Sequence, residues 1–180
     1  MSSAPPAIVV MGVSGAGKST FGAALADVLG RVFIDADGLH PASNKAKMSA
    51  GLPLDDTDRA PWLDAVAAAA AAAAPAVVAC SALKRAYRER LSAGLGSAAF
   101  VELVVARSEL ELRLTARAHE FMPATLLDSQ LVTLEPLQPD ELGIRFAYTN
   151  PDSPVRSAQS AADQLLHFLN ATSAFTHATM

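Results

Sequence analysis

Residues 7–30 read AIVVMGVSGAGKSTFGAALADVLG, and this stretch decides the fold. Ala7 to Met11 is an apolar run of strand length without polar alternation, which suits a strand covered on both sheet faces. Gly12-Val13-Ser14-Gly15-Ala16-Gly17-Lys18-Ser19 matches G-x-x-x-x-G-K-[ST] throughout, with Thr20 directly after it. Phe21, Leu25, Val28 and Leu29 then recur at helical spacing, and Gly30 stands where a C-terminal cap belongs. Strand, glycine-rich turn and helix in that order make a phosphate cradle. Phosphate oxygens need many donors at short range; glycines let backbone N–H groups turn inward, and the helix N-terminus adds positive potential. Residues 12–20 are therefore the predicted ATP site, with Lys18 bridging the β- and γ-phosphates and Ser19 ligating Mg²⁺ through its hydroxyl. The plain alternative is a glycine-rich turn with an exposed lysine, and it leaves the joint register of glycines, Lys, Ser, strand and helix unexplained.

Outward from this stretch, apolar runs keep alternating with helix-period segments, the pattern of βαβ units and a largely parallel sheet. The predicted class is α/β with a P-loop nucleoside triphosphate hydrolase fold. Further strands are expected at Val32 to Asp35, Ala76 to Cys80, Phe100 to Val105 and Ile144 to Tyr148. Helices are expected at DDTDRAPWLDAVAAAA, with Pro61 in its first turn and an end near Pro75, and over 84–91, 108–118, 123–134 and 158–169. At 180 residues the chain is read as a single domain over 1–180, with an ordered core over 7–170 and loose tails.

Composition excludes several classes. Fourteen Lys and Arg against 18 Asp and Glu give a net charge of -4, with no basic stripe for nucleic acid. Hydrophobic residues reach 51%, yet the richest run, Ala65 to Ala74, is mostly alanine, so no membrane span is expected. One cysteine, Cys80, rules out an internal disulfide framework, and the N-terminus lacks the pattern of a secretion signal. The expected location is cytoplasmic.

Phe33-Ile34-Asp35-Ala36-Asp37 puts two acids at the end of the second strand. Residues two apart in an extended strand point the same way, so both reach the crevice beyond the strand's carboxyl end. One would orient Mg²⁺, assigned to Asp35, while the other, Asp37, accepts a proton from a substrate hydroxyl; a turn or cap is the structural alternative. Lys84 and Arg88, four apart on an expected helix, together with Arg59, are candidates to hold an anionic group such as a carboxylate, against the ordinary reading of solvated surface charge. Arg113 and Arg117 form a second same-face pair, either an exposed ion-pair ladder with Glu109 or lid arginines that neutralise a transferred phosphoryl group. A switch GTPase is disfavoured because Asn44-Lys45-Ala46-Lys47 lacks the aspartate of N-K-x-D. An ATPase of the usual kind is disfavoured because Ser81-Ala82-Leu83-Lys84 follows the third strand without an acid.

Four segments then carry a resemblance: MGVSGAGKST, FIDADGLHPASNKAKMSAGLPLDDTDRAPWL, CSALKRAYRERL and HEFMPATLLDSQLVTLEPL. From Ile8 to about Leu137 the sequence resembles the small P-loop gluconokinases, relatives of shikimate kinase and the nucleoside monophosphate kinases. The resemblance implies a five-stranded parallel sheet flanked by helices, a helical substrate region and a mobile lid. It implies transfer of the γ-phosphoryl group of ATP to the 6-hydroxyl of D-gluconate, with Mg²⁺. Carried over to this chain, it puts Asp37 near the reacting hydroxyl, Arg59, Lys84 and Arg88 around gluconate, and Arg113 or Arg117 on the lid side. His40, in the dipeptide His40-Pro41, meets a sugar hydroxyl or packs a turn. Relatives are commonly dimers, so a homodimer is allowed. The family lid reads R-x-x-H-F-M, whereas Arg117-Ala118-His119-Glu120-Phe121-Met122 places Glu120 between His and Phe, and no role is carried over for His119. Two other readings stay open: the same fold acting on shikimate or a nucleoside monophosphate, and a nucleotide-binding module without catalysis.

Overall fold

The computed structural model describes residues 7–116, 124–149 and 153–178. Five parallel strands, β1 (Ala7–Met11), β2 (Val32–Asp35), β3 (Ala76–Ala79), β4 (Ala98–Val104) and β5 (Gly143–Ala147), form one sheet in the order β2-β3-β1-β4-β5. Helices α1 (Lys18–Leu29), α2 (Ala42–Ser49), α3 (Asp56–Ala72), α4 (Arg85–Leu95), α5 (Arg107–Ala116), α6 (Ala124–Thr133) and α7 (Pro154–Ala178) accompany it.

The absence of alternation in β1 has a direct cause. Ile8 and Val10 pack into one half of the core with Phe21 and Leu25 of α1 and Ala161 and Leu165 of α7. Val9 and Met11 point the other way, toward Trp62, Leu63 and Val66 of α3 and Leu91 of α4. Both faces of the central strand are thus dry, and every position is apolar. Because β1 lies between β3 and β4, the crevice at its carboxyl end is where ligands bind in open α/β sheets.

Local chemistry sets the helix ends. Gly30 adopts φ 62°, and its N–H closes α1 on the Asp27 carbonyl at 3.3 Å. At the start of α3, Asp55 accepts the Asp58 N–H at 2.9 Å while the Asp58 carboxylate accepts the Asp55 N–H at 3.0 Å, a reciprocal capping box. With Asp55 as cap, Pro61 lies inside the helix beyond the first turn, a correction to the expected position. Two elements escape the periodicity argument. Ala36–Leu39 forms a 3₁₀ turn directly after β2, and the polar segment ASNKAKMS forms α2. At the other end α7 runs on to Ala178, past the point where the ordered core is expected to stop.

Candidate active site

The glycine-rich loop connects β1 to α1 and opens the crevice. Gly17 adopts φ 91°, a conformation that disfavours a side chain, and a Cβ there would sit 2.9 Å from the Tyr148 ring. Gly12 N–H donates to the Ser81 carbonyl at 3.3 Å, tying the loop to the segment after β3. Lys18 folds over the loop, its Nζ donating to the Val13 carbonyl at 3.1 Å. The Ser14 N–H donates to the Gln130 side-chain oxygen of α6 at 2.7 Å.

Arg113 makes the pair with Glu109 that its spacing suggests, but in a largely buried position and not on an exposed face. Its Nε donates to Glu109 at 2.9 Å, Nη1 to the Ala16 carbonyl at 3.2 Å and Nη2 to the Tyr148 carbonyl at 3.2 Å. The guanidinium also lies 5.2 Å from the centroid of the Tyr148 ring. It braces the loop from behind and is not among the residues lining the main cavity. Arg117, and with it the segment 117–122 compared with the family lid, lies outside the described residues.

The main cavity encloses about 1060 Å³, room for a nucleotide's phosphates and a small acceptor together. Lys18, Ser19, Asp35, Asp37, His40 and Arg59 all line it. The two acids reach it by a route other than strand alternation. β2 ends at Asp35, and Asp37 belongs to the 3₁₀ turn whose N–H the Asp35 carboxylate accepts at 3.0 Å. Asp35 therefore caps that turn as well as facing the cavity, and the pair lies beside the loop's Lys and Ser. A hydroxyl and a carboxylate offer oxygen alone, the donor chemistry that suits Mg²⁺, which keeps several waters or phosphate oxygens as its other ligands.

The opposite wall is built by α2 and α3. Lys47 Nζ bonds both Asp58 carboxylate oxygens at 2.7 Å, and Asn44 Nδ2 donates to the Asp58 carbonyl at 2.9 Å, which docks the polar helix on its neighbour. The Lys47 hydrogen bond holds the Asp58 carboxyl below its ordinary range. His40 stacks on Trp62 with centroids 4.0 Å apart and planes 12° apart, and the indole N–H donates to the Ala36 carbonyl at 2.8 Å. Burial, reinforced by Arg59 and Lys45, depresses the His40 pKa to about 4, so the ring is neutral near pH 7.

Of the expected basic trio, Arg59 and Lys84 share one recess, and Arg88 stands apart. Arg59 lines the main cavity, with Nη1 donating to the Leu54 carbonyl at 2.6 Å and to the Tyr87 hydroxyl at 3.4 Å. Lys84 lines an adjoining smaller recess, where it pairs with Asp56 at 2.7 Å; that hydrogen bond, joined by one from Tyr87, lowers the Asp56 pKa. Arg88 does not reach the cavity. It is 1% exposed, and its guanidinium is held by Glu141 at 2.6 and 2.8 Å and by the carbonyls of Ala82, Leu83 and Glu135. The expected shared face of Lys84 and Arg88 requires both to be helical, but Lys84 is the extended cap residue of α4.

Lys45, Trp62 and Gln130 line the cavity without having been singled out as site residues in the sequence. Trp62 and Gln130 fall within PWL and LLDSQL of the segments that carry the family resemblance, the signal that marks them.

Residues 8–137 match the family model described as an AAA domain. The gluconokinase of Gluconobacter oxydans is 48% identical over 147 residues, spanning 79% of this chain and 83% of that protein. A crystal structure of a gluconokinase from Sinorhizobium meliloti superposes with a TM-score of 0.83 at 44% identity, covering 94% of this chain and 98% of that one. A shikimate kinase from Acinetobacter baumannii, at 20% identity and a TM-score of 0.57 over 90% of this chain and 93% of its own, shares the fold.

Proposed function

The chain belongs to the gluconokinase family, and from that premise we propose how its cavity residues transfer the γ-phosphoryl group of ATP to the 6-hydroxyl of D-gluconate. The observation that carries the reading is the convergence of Lys18 and Ser19 of the glycine-rich loop with Asp35, Asp37 and Arg59 on one cavity.

In this reading the loop of residues 12–20 holds the triphosphate through the backbone N–H groups that are not already committed, as those of Gly12 and Ser14 are, and Lys18 leaves the Val13 carbonyl to bridge the β- and γ-phosphates. Ser19 and Asp35 would hold Mg²⁺, which supplies charge neutralisation at the phosphate oxygens. Asp37 accepts the proton of the 6-hydroxyl as its oxygen bonds to the γ-phosphorus; the bond from that phosphorus to the β–γ bridging oxygen breaks, and ADP departs with the electron pair. Arg59 meets the gluconate carboxylate with its remaining donors, and Lys45 adds positive potential at the same wall. Arg113 acts indirectly, by fixing the Ala16 carbonyl. Arg117 is assigned from the sequence alone as a further cation at the γ-phosphate. Lys84 contributes through Asp56 to the shape of the Arg59 environment, and Arg88 has no substrate role.

No described helix is long and apolar enough to cross a membrane. The proposal places the activity in the cytoplasm, in a single kinase domain over 1–180, with a homodimer allowed. Phosphorus NMR of the protein with ATP, Mg²⁺ and D-gluconate tests it: a new phosphomonoester signal on the terminal hydroxyl is expected. Conversion of ATP to ADP and inorganic phosphate alone contradicts it.

A further inference from the structure

The α2 wall of the cavity contains a hydrogen-bond chain whose direction follows from its partners. Asn44 is 1% exposed, and its Nδ2 lies 2.9 Å from the Asp58 main-chain carbonyl oxygen and 3.3 Å from Nδ1 of His40. A carbonyl oxygen only accepts, so the Asn44 atom facing Asp58 is the amide nitrogen. That nitrogen has a second N–H, which is the one directed at His40. Nδ1 must then be an acceptor and cannot itself bear a proton, because two N–H groups would otherwise oppose each other. The ring proton sits on Nε2.

The geometry around the ring reinforces this assignment. Stacking on Trp62 fixes the ring plane, and the indole is in turn fixed on the Ala36 carbonyl. The charged groups facing it, Arg59 and Lys45, are both cationic and oppose an imidazolium, in line with the depressed pKa. Among the described residues no protein partner engages Nε2, while the histidine lines the same cavity as Asp37 and Arg59.

We propose that Asn44 is a positioning residue that locks His40 in its neutral Nε2–H tautomer, so that His40 offers one fixed donor to a hydroxyl oxygen of the sugar acid. This rests on the gluconate reading above. The division of labour is by charge type: Arg59 answers the carboxylate, Asp37 accepts a hydroxyl proton, and His40 supplies the uncharged donor. A fixed neutral donor favours a hydroxyl oxygen at that position and is left unpaired by an acceptor lacking it, which is how a polar site discriminates against deoxy analogues.

Heteronuclear NMR of the imidazole nitrogens of the full chain tests the tautomer without any variant. The chain has four histidines, and the signal lost in His40→Gln identifies His40. A protonated Nε2 beside an unprotonated Nδ1 at pH 7 is expected, and in Asn44→Ala the two nitrogens should move toward averaged values. A proton on Nδ1, or a doubly protonated ring, overturns the proposal. The function of the donor is read by kinetics: His40→Phe keeps a ring to stack on Trp62 but no nitrogen. It should raise the KM for D-gluconate about tenfold, the worth of one hydrogen bond, with the KM for ATP unmoved. His40→Gln, whose amide N–H₂ falls near the Nε2 position, should recover most of that loss. An unchanged gluconate KM in His40→Phe overturns the donor role. Wild-type turnover on gluconate, measured alongside, separates this failure from failure of the gluconate reading itself.

Discussion

The side-chain oxygen of Gln130 accepts the N–H of Ser14 at 2.7 Å, joining the glycine-rich loop to α6 across 116 residues of sequence. Ser14 belongs to the loop proposed to hold the triphosphate, so the charge of the group at position 130 is expected to bear on nucleotide binding. Gln130→Glu puts a carboxylate against the same N–H and beside the phosphates. We expect the KM for ATP to rise by about tenfold or more, which corresponds to about 1.4 kcal/mol. Gln130→Ala, which only releases the N–H, should change it much less. Equal effects of the two variants in ATP titrations would show that charge at this position is irrelevant.

Asp37 shares the cavity with Lys18 and Ser19 and is assigned as the proton acceptor. Asp37→Asn should lower the single-turnover rate of phosphoryl transfer by a factor on the order of 10²–10⁴, the usual worth of a general base, while ATP still binds. Lys18→Ala should remove turnover. Rapid-quench measurement with bound ATP and gluconate distinguishes the two roles, and normal transfer in Asp37→Asn would remove the assignment of the base.

The pair of buried Arg88 with half-buried Glu141 has a structural task. Removing Arg88 takes away the partner of Glu141 and a donor to three main-chain carbonyls, at a cost below the about 3–5 kcal/mol of breaking a fully buried pair. Arg88→Ala should therefore lower the urea midpoint strongly, while the folded fraction keeps the wild-type KM for gluconate. A variant of normal stability with a raised gluconate KM would return Arg88 to the substrate.

His40 also makes a pH prediction. Its pKa falls from 6.5 in the unfolded chain to about 4 in the folded one. Between those values the unfolded state binds more protons, so this contribution is fully present above pH 6.5 and is lost as pH falls toward 4. The shift corresponds to about 3 kcal/mol. Urea unfolding of wild type and His40→Gln across this range should give a stability difference that changes with pH, whereas parallel curves would contradict the buried neutral ring.

These results show where the sequence is a sufficient guide. The β1–loop–α1 unit is legible because its signals are local: an apolar run, glycines and a lysine at fixed spacing, and a helical stripe ending in Gly30. Asp35 and Asp37 reach the cavity as expected, though through a 3₁₀ turn rather than a continued strand. Arg88 is misread because its partner lies 53 residues away, and because α4 starts one residue after Lys84. The segment forming α2 has no apolar stripe to announce a helix. What holds it is Asn44 and Lys47 bonding to Asp58 of α3, a tertiary contact that periodicity does not encode. Gln130 falls inside a segment that carries the family resemblance, but its contact with Ser14 arises only when α6 is folded against the loop.

The cavity is proposed to couple ATP to a sugar acid, and ADP release from ATP and Mg²⁺ with D-gluconate, shikimate, AMP or no acceptor in parallel tests this coupling. Release that depends on gluconate and stays at the blank level with the other acceptors is the predicted result. Release with gluconate no greater than the blank would contradict the account and leave the nucleotide site without the acceptor assigned to it.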